Sequence, residues 1–157
     1  MSVYLKSNTI SLVPLARERA IYTAMTSVLI VEDDDTNLLV FSLILTKRGG
    51  LKVKSTEDVE EVLKIASSGE VDIILMDVSL SQSIYQGEPV DGIRITQILK
   101  ANATTASLPV VLVTAHAMDG YRQKFLAESG ADDYITKPIL DQQEFVDRIK
   151  RLAEKKR

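Results

Sequence analysis

The sequence predicts an α/β domain built on a parallel β-sheet with helices on both faces, and three observations carry that expectation. Short apolar, β-branched runs alternate five times with segments of helical periodicity. The connections between them are short, which in such an alternation makes successive strands parallel and folds each helix back onto the sheet. The length, 157 residues, suits one domain large enough to bury its own core.

The first strand is read at Ser27 to Val31 (SVLIV), a β-branched run that ends in acids. Leu38, Phe41 and Leu45, with Leu39 and Ile44, recur at helical spacing, and Gly49-Gly50 stops that helix. Lys52 to Ser55 is a short second strand. Ser55 or Thr56 caps a second helix whose acidic first turn holds Glu57 and Asp58. Its inward face is Val59, Val62, Leu63 and Ala66. Val71 to Met76 (VDIILM) is apolar enough for a third strand buried on both faces, and Asp77 ends it. Ile93, Ile95, Ile98 and Leu99 mark the third helix. Pro109 introduces a fourth strand, Val110 to Val113, which closes in Thr114. The fourth helix runs from about Asp119 to Ser129 and is stopped by Gly130. Tyr134 to Thr136 is a brief fifth strand, cut off by Lys137-Pro138. The last helix turns Phe145, Val146, Ile149 and Leu152 inward and ends in a basic tail suited to a helix C-terminus.

Composition bounds what such a domain does. Hydrophobic residues make up 45% and charged residues 26%, the ordinary balance for a soluble α/β protein. The net charge of −3 argues against non-specific nucleic-acid binding, so no direct DNA contact is expected. Cysteine is absent, which excludes disulfides and thiolate zinc sites, and a lone histidine, His116, rules out a histidine metal cluster. No stretch approaches the length of an apolar membrane span, and a cytoplasmic location is expected. Residues 1–25 are read as an N-terminal extension and 26–155 as the folded domain. The best apolar run of the extension, Ile10 to Ala16, is broken by Ser11 and Pro14, too poor a core for a secretory signal. A flexible arm or a misassigned start is expected, with Met25 the natural beginning.

Chemistry in a parallel α/β sheet gathers at the carboxyl ends of the strands. The first strand ends in Glu32, Asp33 and Asp34, the third in Asp77, the fourth in Thr114, and the fifth is followed by Lys137. Clustered carboxylates repel one another, and burial raises their pKa values unless a cation intervenes. A hard oxygen site of this kind suits Mg²⁺. Asp77, rigidly placed behind an apolar strand, is the nucleophile candidate, since carboxylates accept phosphoryl groups. Mg²⁺ and Lys137 would supply positive charge, and the Thr114 hydroxyl would donate to a phosphoryl oxygen. Each residue alone has an ordinary structural role: a helix cap for Asp77 or Thr114, a solvated lysine, an acidic helix start for Glu32 to Asp35. Their coincidence at successive strand ends is what points to a site.

The segments VLIVEDDDTN, DIILMDVSL, VDGIRI, LPVVLVTAHAM and GADDYITKPI resemble the receiver domain of bacterial two-component response regulators, from about Ser27 to Leu152. The resemblance implies the flavodoxin-like, doubly wound fold of the CheY-like family, with strand order 2-1-3-4-5. It makes Glu32 and Asp33 the acidic pair, Asp77 the phosphoacceptor, Thr114 the switch hydroxyl, Lys137 the partner lysine and Tyr134 the aromatic switch that turns inward. Mg²⁺ would be held by Asp33, Asp77 and the Ser79 backbone carbonyl, with Glu32 acting through water. Ser79 and His116 occupy positions that tune loss of the phosphoryl group, and the Lys137-Pro138 bond would be cis. Implied partners are a sensor histidine kinase or histidine phosphotransfer protein as donor, and a target protein read through the helix 4–strand 5–helix 5 face; a homodimer is compatible.

One departure stands out. Asp77 and Gly92 lie 15 positions apart, more than the family usually allows. The extra residues fall within 81–90 (SQSIYQGEPV), displace the usual proline, and are expected to be a tolerated surface insertion. A pseudo-receiver, acting as a constitutive binding module, is the main rival reading, opposed by the intact acids, Thr114 and Lys137. A haloacid-dehalogenase-type phosphatase wants a second aspartate where Ser79 stands, and EDDDTN lacks the glycine turn of a dinucleotide site. Nothing after the last helix reads as an output domain, so output through protein contacts is expected.

Overall fold

The computed structural model describes residues 25–155, so the segment 1–24 and the last two residues of the basic tail lie outside it. Strand β1 (Ser27–Val31) leads to α1 (Asp35–Leu43), β2 (Lys52–Ser55), α2 (Val59–Ser68) and β3 (Ile73–Asp77). A short pair, β4 (Ile84–Tyr85) and β5 (Glu88–Pro89), precedes α3 (Gly92–Ala101). Then come β6 (Val110–Thr114), α4 (Tyr121–Ser129), β7 (Asp133–Thr136) and α5 (Gln142–Glu154).

The main sheet has the order β2-β1-β3-β6-β7, and every pairing in it is parallel. That is the expected doubly wound order, with β6 and β7 as the fourth and fifth strands read from the sequence. Alternation along each strand divides the core in two. Leu29, Val31, Ile74, Met76, Val110 and Leu112 face α2, α3 and α4, where Val62, Ile95 and Phe125 meet them. Val28, Ile30, Ile73, Leu75, Val111 and Val113 face α1 and α5, against Phe41, Leu45, Phe145 and Ile149. Each such side chain, fully buried, contributes about 1.5–3 kcal/mol. This explains why the central strands read as unbroken apolar runs: both faces are covered.

Several boundaries differ from expectation. The cap of α2 is Asp58, whose carboxylate accepts from the Glu61 amide at 2.8 Å, while Thr56 Oγ1 accepts from the Asp58 amide at 3.1 Å. A carboxylate three residues from the first free amides reaches them better than Ser55 or Thr56, which lie too far upstream. Helix α4 begins at Tyr121, not Asp119, because Gly120 takes the left-handed conformation (φ 92°) just before it. Helix α1 continues into a π-helical turn, Ile44–Arg48, that turns adjacent Ile44 and Leu45 both inward, while Leu39, two residues from buried Phe41 and so on the far side of the helix, is 59% exposed. The insertion is ordered: β4 and β5 form an antiparallel hairpin about Gln86 and Gly87, both at positive φ, as a two-residue hairpin loop demands.

Candidate functional site

Strand register decides which strand-end residues meet. Val31 pairs with Met76, so Glu32 and Asp77 stand side by side one step beyond. Asp77 pairs with Val113, placing Thr114 next along β6. Thr114 pairs with Thr136, and Lys137 follows. The Lys137 amide donates to the Thr114 carbonyl at 2.8 Å, and the Lys137–Pro138 bond is cis.

A dense charge cluster results at the carboxyl edge. Lys137 Nζ donates to Glu32 Oε2 at 2.8 Å and lies 3.2 Å from Asp77 Oδ1. Asp77 Oδ1 also accepts from the Ser79 amide at 3.3 Å, so both contacts fall on one oxygen of that carboxylate. Asp33 is held differently: its Oδ2 accepts from both the amide (2.9 Å) and the hydroxyl (2.7 Å) of Ser81. Oxygens of Glu32, Asp33 and Asp77 lie within 4.8 Å of one another.

The electrostatics follow from these contacts. Burial pushes the Glu32 carboxyl up, against the pull of the Lys137 hydrogen bond. Burial acts on Asp33 too, but the Ser81 donors outweigh it and hold the carboxyl below its ordinary value. Crowding therefore does not raise every acid, because one of them has its own donors. Burial opposes the Lys137 ammonium, yet the Glu32 hydrogen bond and the Asp77 charge keep its pKa above the ordinary value. Three carboxylates against one ammonium leave negative charge in excess, and an all-oxygen donor set of that kind fits a hard divalent cation such as Mg²⁺.

The remaining expected residues lie beside this cluster. Thr114 is fully buried, and its Oγ1 accepts from the His116 amide at 3.1 Å. Tyr134 is turned inward, 4% exposed, with its hydroxyl donating to the His116 carbonyl. The His116 ring does not reach the acids through any hydrogen bond among the described residues; it lies tilted against Tyr121 (centroids 5.6 Å apart) and edge-on to Phe125 (6.2 Å). Phe125 in turn lies 6.2 Å from Tyr134, so a series of rings runs from the rim of the site onto α4. Ser79 is exposed next to Asp77.

Three features escaped sequence reasoning. Ser81 is an unremarked loop serine until the fold brings it to Asp33. Tyr121 and Phe125 look like ordinary helix residues. Gly92 is required because a Cβ there would sit 1.9 Å from the Asp77 carbonyl oxygen: the start of α3 rests on the backbone of the central aspartate. The VDGIRI run contains that signal, without its reason.

Comparison with known proteins agrees with this geometry. The family model described as response regulator receiver domain matches residues 28–150. A relative from Brucella anthropi, the polar-differentiation response regulator DivK, is 34% identical over 113 residues, which covers 72% of this chain and 85% of that protein. The receiver domain of a sensor histidine kinase from Pseudomonas aeruginosa, crystallised with a magnesium ion coordinated in its active site cleft, superposes with a TM-score of 0.68 at 26% identity. The match covers 83% of this chain and 99% of that one. A CheY-like receiver domain from Methanospirillum hungatei shares the fold, with a TM-score of 0.64 at 23% identity over 84% of this chain and 96% of that one. With a matching family model over most of its length, a relative among response regulators and the acids, threonine and lysine assembled at the strand ends, the chain belongs to the response regulator receiver domain family of two-component signalling.

Proposed function

We propose that Asp77 accepts a phosphoryl group from a phosphohistidine on a sensor histidine kinase or a histidine phosphotransfer protein, and that residues 26–155 form the receiver unit. The observation that carries this reading is the Lys137 ammonium set between Glu32 (2.8 Å) and Asp77 (3.2 Å) beside a third acid. Lys137 occupies one oxygen of Asp77, and the other attacks phosphorus. A P–O bond forms, the P–N bond to the donor imidazole breaks, and the imidazole leaves with the electron pair. Phosphoryl transfer needs positioning and charge neutralisation more than covalent help. Asp33 and Asp77 with the Ser79 carbonyl, and Glu32 through water, would hold Mg²⁺, which when bound would supply positive charge to the phosphoryl oxygens.

The switch follows from the same residues. Thr114 Oγ1, now accepting from the His116 amide, donates its hydroxyl proton to the phosphoryl group. That contact shifts the loop whose His116 carbonyl holds Tyr134, and Tyr134 carries the change to the α4–β7–α5 face, where a target protein reads it. Ser79 and His116 then tune how long the phosphoryl group lasts. The domain acts as a phosphoacceptor switch, and its only chemistry is its own phosphorylation and dephosphorylation.

Intact mass after incubation with acetyl phosphate tests this directly. A gain of one phosphoryl group (~80 Da), lost with EDTA and in Asp77→Asn, is the expected result. No gain from acetyl phosphate or from a phosphohistidine protein would leave a constitutive binding module, the pseudo-receiver, as the better reading.

A further inference from the structure

From the two hydrogen bonds on Asp33 we infer that Ser81, at the root of the inserted hairpin, is the positioning residue that holds Asp33 ready for a divalent cation. This rests on the reading of Asp33 as a metal ligand.

Asp33 lies just beyond the end of β1 and is partly exposed, so packing alone does not choose its rotamer. Ser81 does. Its amide and hydroxyl both donate to one oxygen, Oδ2, at 2.9 and 2.7 Å. Both donors on one atom leave Oδ1 free of them and fix the plane of the carboxylate. The hairpin residues anchor Ser81 in turn. Ser83 Oγ donates to the Glu57 carbonyl at 3.3 Å, and the Val90 amide closes back on the Ser83 carbonyl at 2.9 Å. Tyr85 of the hairpin packs against the core cluster under α2 and α3. The insertion thus braces an outer partner of the site on the body of the domain. Partners that orient a ligating carboxylate are worth about 10–100-fold in metal affinity.

The test is Mg²⁺ affinity, read from backbone amide shifts in NMR titrations of the full chain as wild type, Ser81→Ala, Ser81→Thr and Ser81→Pro. Ser81→Thr keeps both donors and should bind within about twofold of wild type. Ser81→Ala should weaken binding about tenfold, and Ser81→Pro, which also loses the amide, at least as much. Melting temperatures, taken alongside, separate this from unfolding, and Ser81→Ala alone suffices if the proline variant does not fold. Equal affinity in wild type and Ser81→Ala would overturn the inference while leaving the phosphoacceptor reading intact, as would equal losses in Ser81→Ala and Ser81→Thr. A folded wild type that shows no Mg²⁺-dependent shifts would overturn both.

Discussion

Lys137 is the residue on which the site's charge balance turns. Its removal leaves Glu32 and Asp77, both buried, facing each other with no cation between them. Lys137→Ala should therefore slow phosphorylation by acetyl phosphate about a hundredfold, since it deletes a fixed charge aimed at the developing phosphoryl charge; initial rates by intact mass would show it. Gly92 tests backbone contact instead. Gly92→Ala forces a methyl into the space of the Asp77 carbonyl oxygen, so α3 must shift. A loss of about 2–3 kcal/mol in urea unfolding is expected, with slower phosphorylation because Asp77 moves as well. Asp133 sets a pH dependence away from the site. Burial opposes its charge, but Arg148, the Tyr134 amide and Arg122 hold the carboxyl below its ordinary value of 3.8. A depressed folded pKa means stability that is present above 3.8 and lost as pH falls through the lower folded value. Asp133→Asn should cost about 2 kcal/mol at neutral pH, and denaturation curves of variant and wild type should converge in acid.

Among the elements, the hairpin of β4 and β5 is the one that most distinguishes this chain. Its outer part, residues 84–89, leaves Ile84 63% exposed, while its root holds Asp33 through Ser81. Outer part and root can therefore be separated by experiment. Replacing residues 84–89 with a short turn while keeping Ser81, Ser83 and Val90 should leave the dephosphorylation half-life unchanged, measured by decay of the phosphorylated species in intact mass, because the Ser83 bonds that anchor Ser81 remain and none of the replaced residues hydrogen-bonds to Glu32, Asp33 or Asp77. It should lower stability by about 1–2 kcal/mol through loss of the half-buried Tyr85. A changed half-life would mean that the hairpin guards the phosphoryl group. Helix α4 is the second informative element. Its Tyr121 and Phe125 connect the His116 ring to Tyr134, and Arg122 both donates to the Tyr134 carbonyl and lies 6.0 Å from its ring. Loop, ring and guanidinium form one packed unit between the site and the outer face.

At the scale of the whole molecule, helix α1 and the β7 edge of the sheet present different outward surfaces. Helix α1 starts at the acids, with Asp34 as its cap, and exposes Leu39 (59%), Val40 (43%) and Leu43 (47%). Leu140, 90% exposed, comes shortly after Lys137. If Asp77 takes its phosphoryl group from a protein donor as proposed, the exposed apolar side chains of the helix that starts at the acids are the surface such a donor would cover. Leu43→Asp should then slow transfer from a phosphohistidine protein about tenfold while leaving acetyl phosphate labelling unchanged. Parallel rates with both donors are the measurement, and equal slowing would place the effect on the site itself. In the proposed function, the α4–β7–α5 side, with Tyr134, Arg122 and Arg148, is the one left for output.

Residue order alone establishes the alternation of strands and helices, the parallel sheet and the set of strand-end residues. It can do so because those features are local: β-branched runs flanked by turns, helical periodicity, and polar residues that end apolar strands. It also carries the family in short motifs. Folding in three dimensions settles what depends on register and on distant partners. Glu32 lies level with Asp77 only because Val31 pairs with Met76. The pKa of Asp33 falls rather than rises because Ser81, 48 positions away, folds back onto it. The Asp58 cap is different, being local and legible in its Asp-x-x-Glu spacing ahead of Val59. The ordered hairpin and the crowding at Gly92 are out of reach of the sequence, since each depends on where a backbone passes in space.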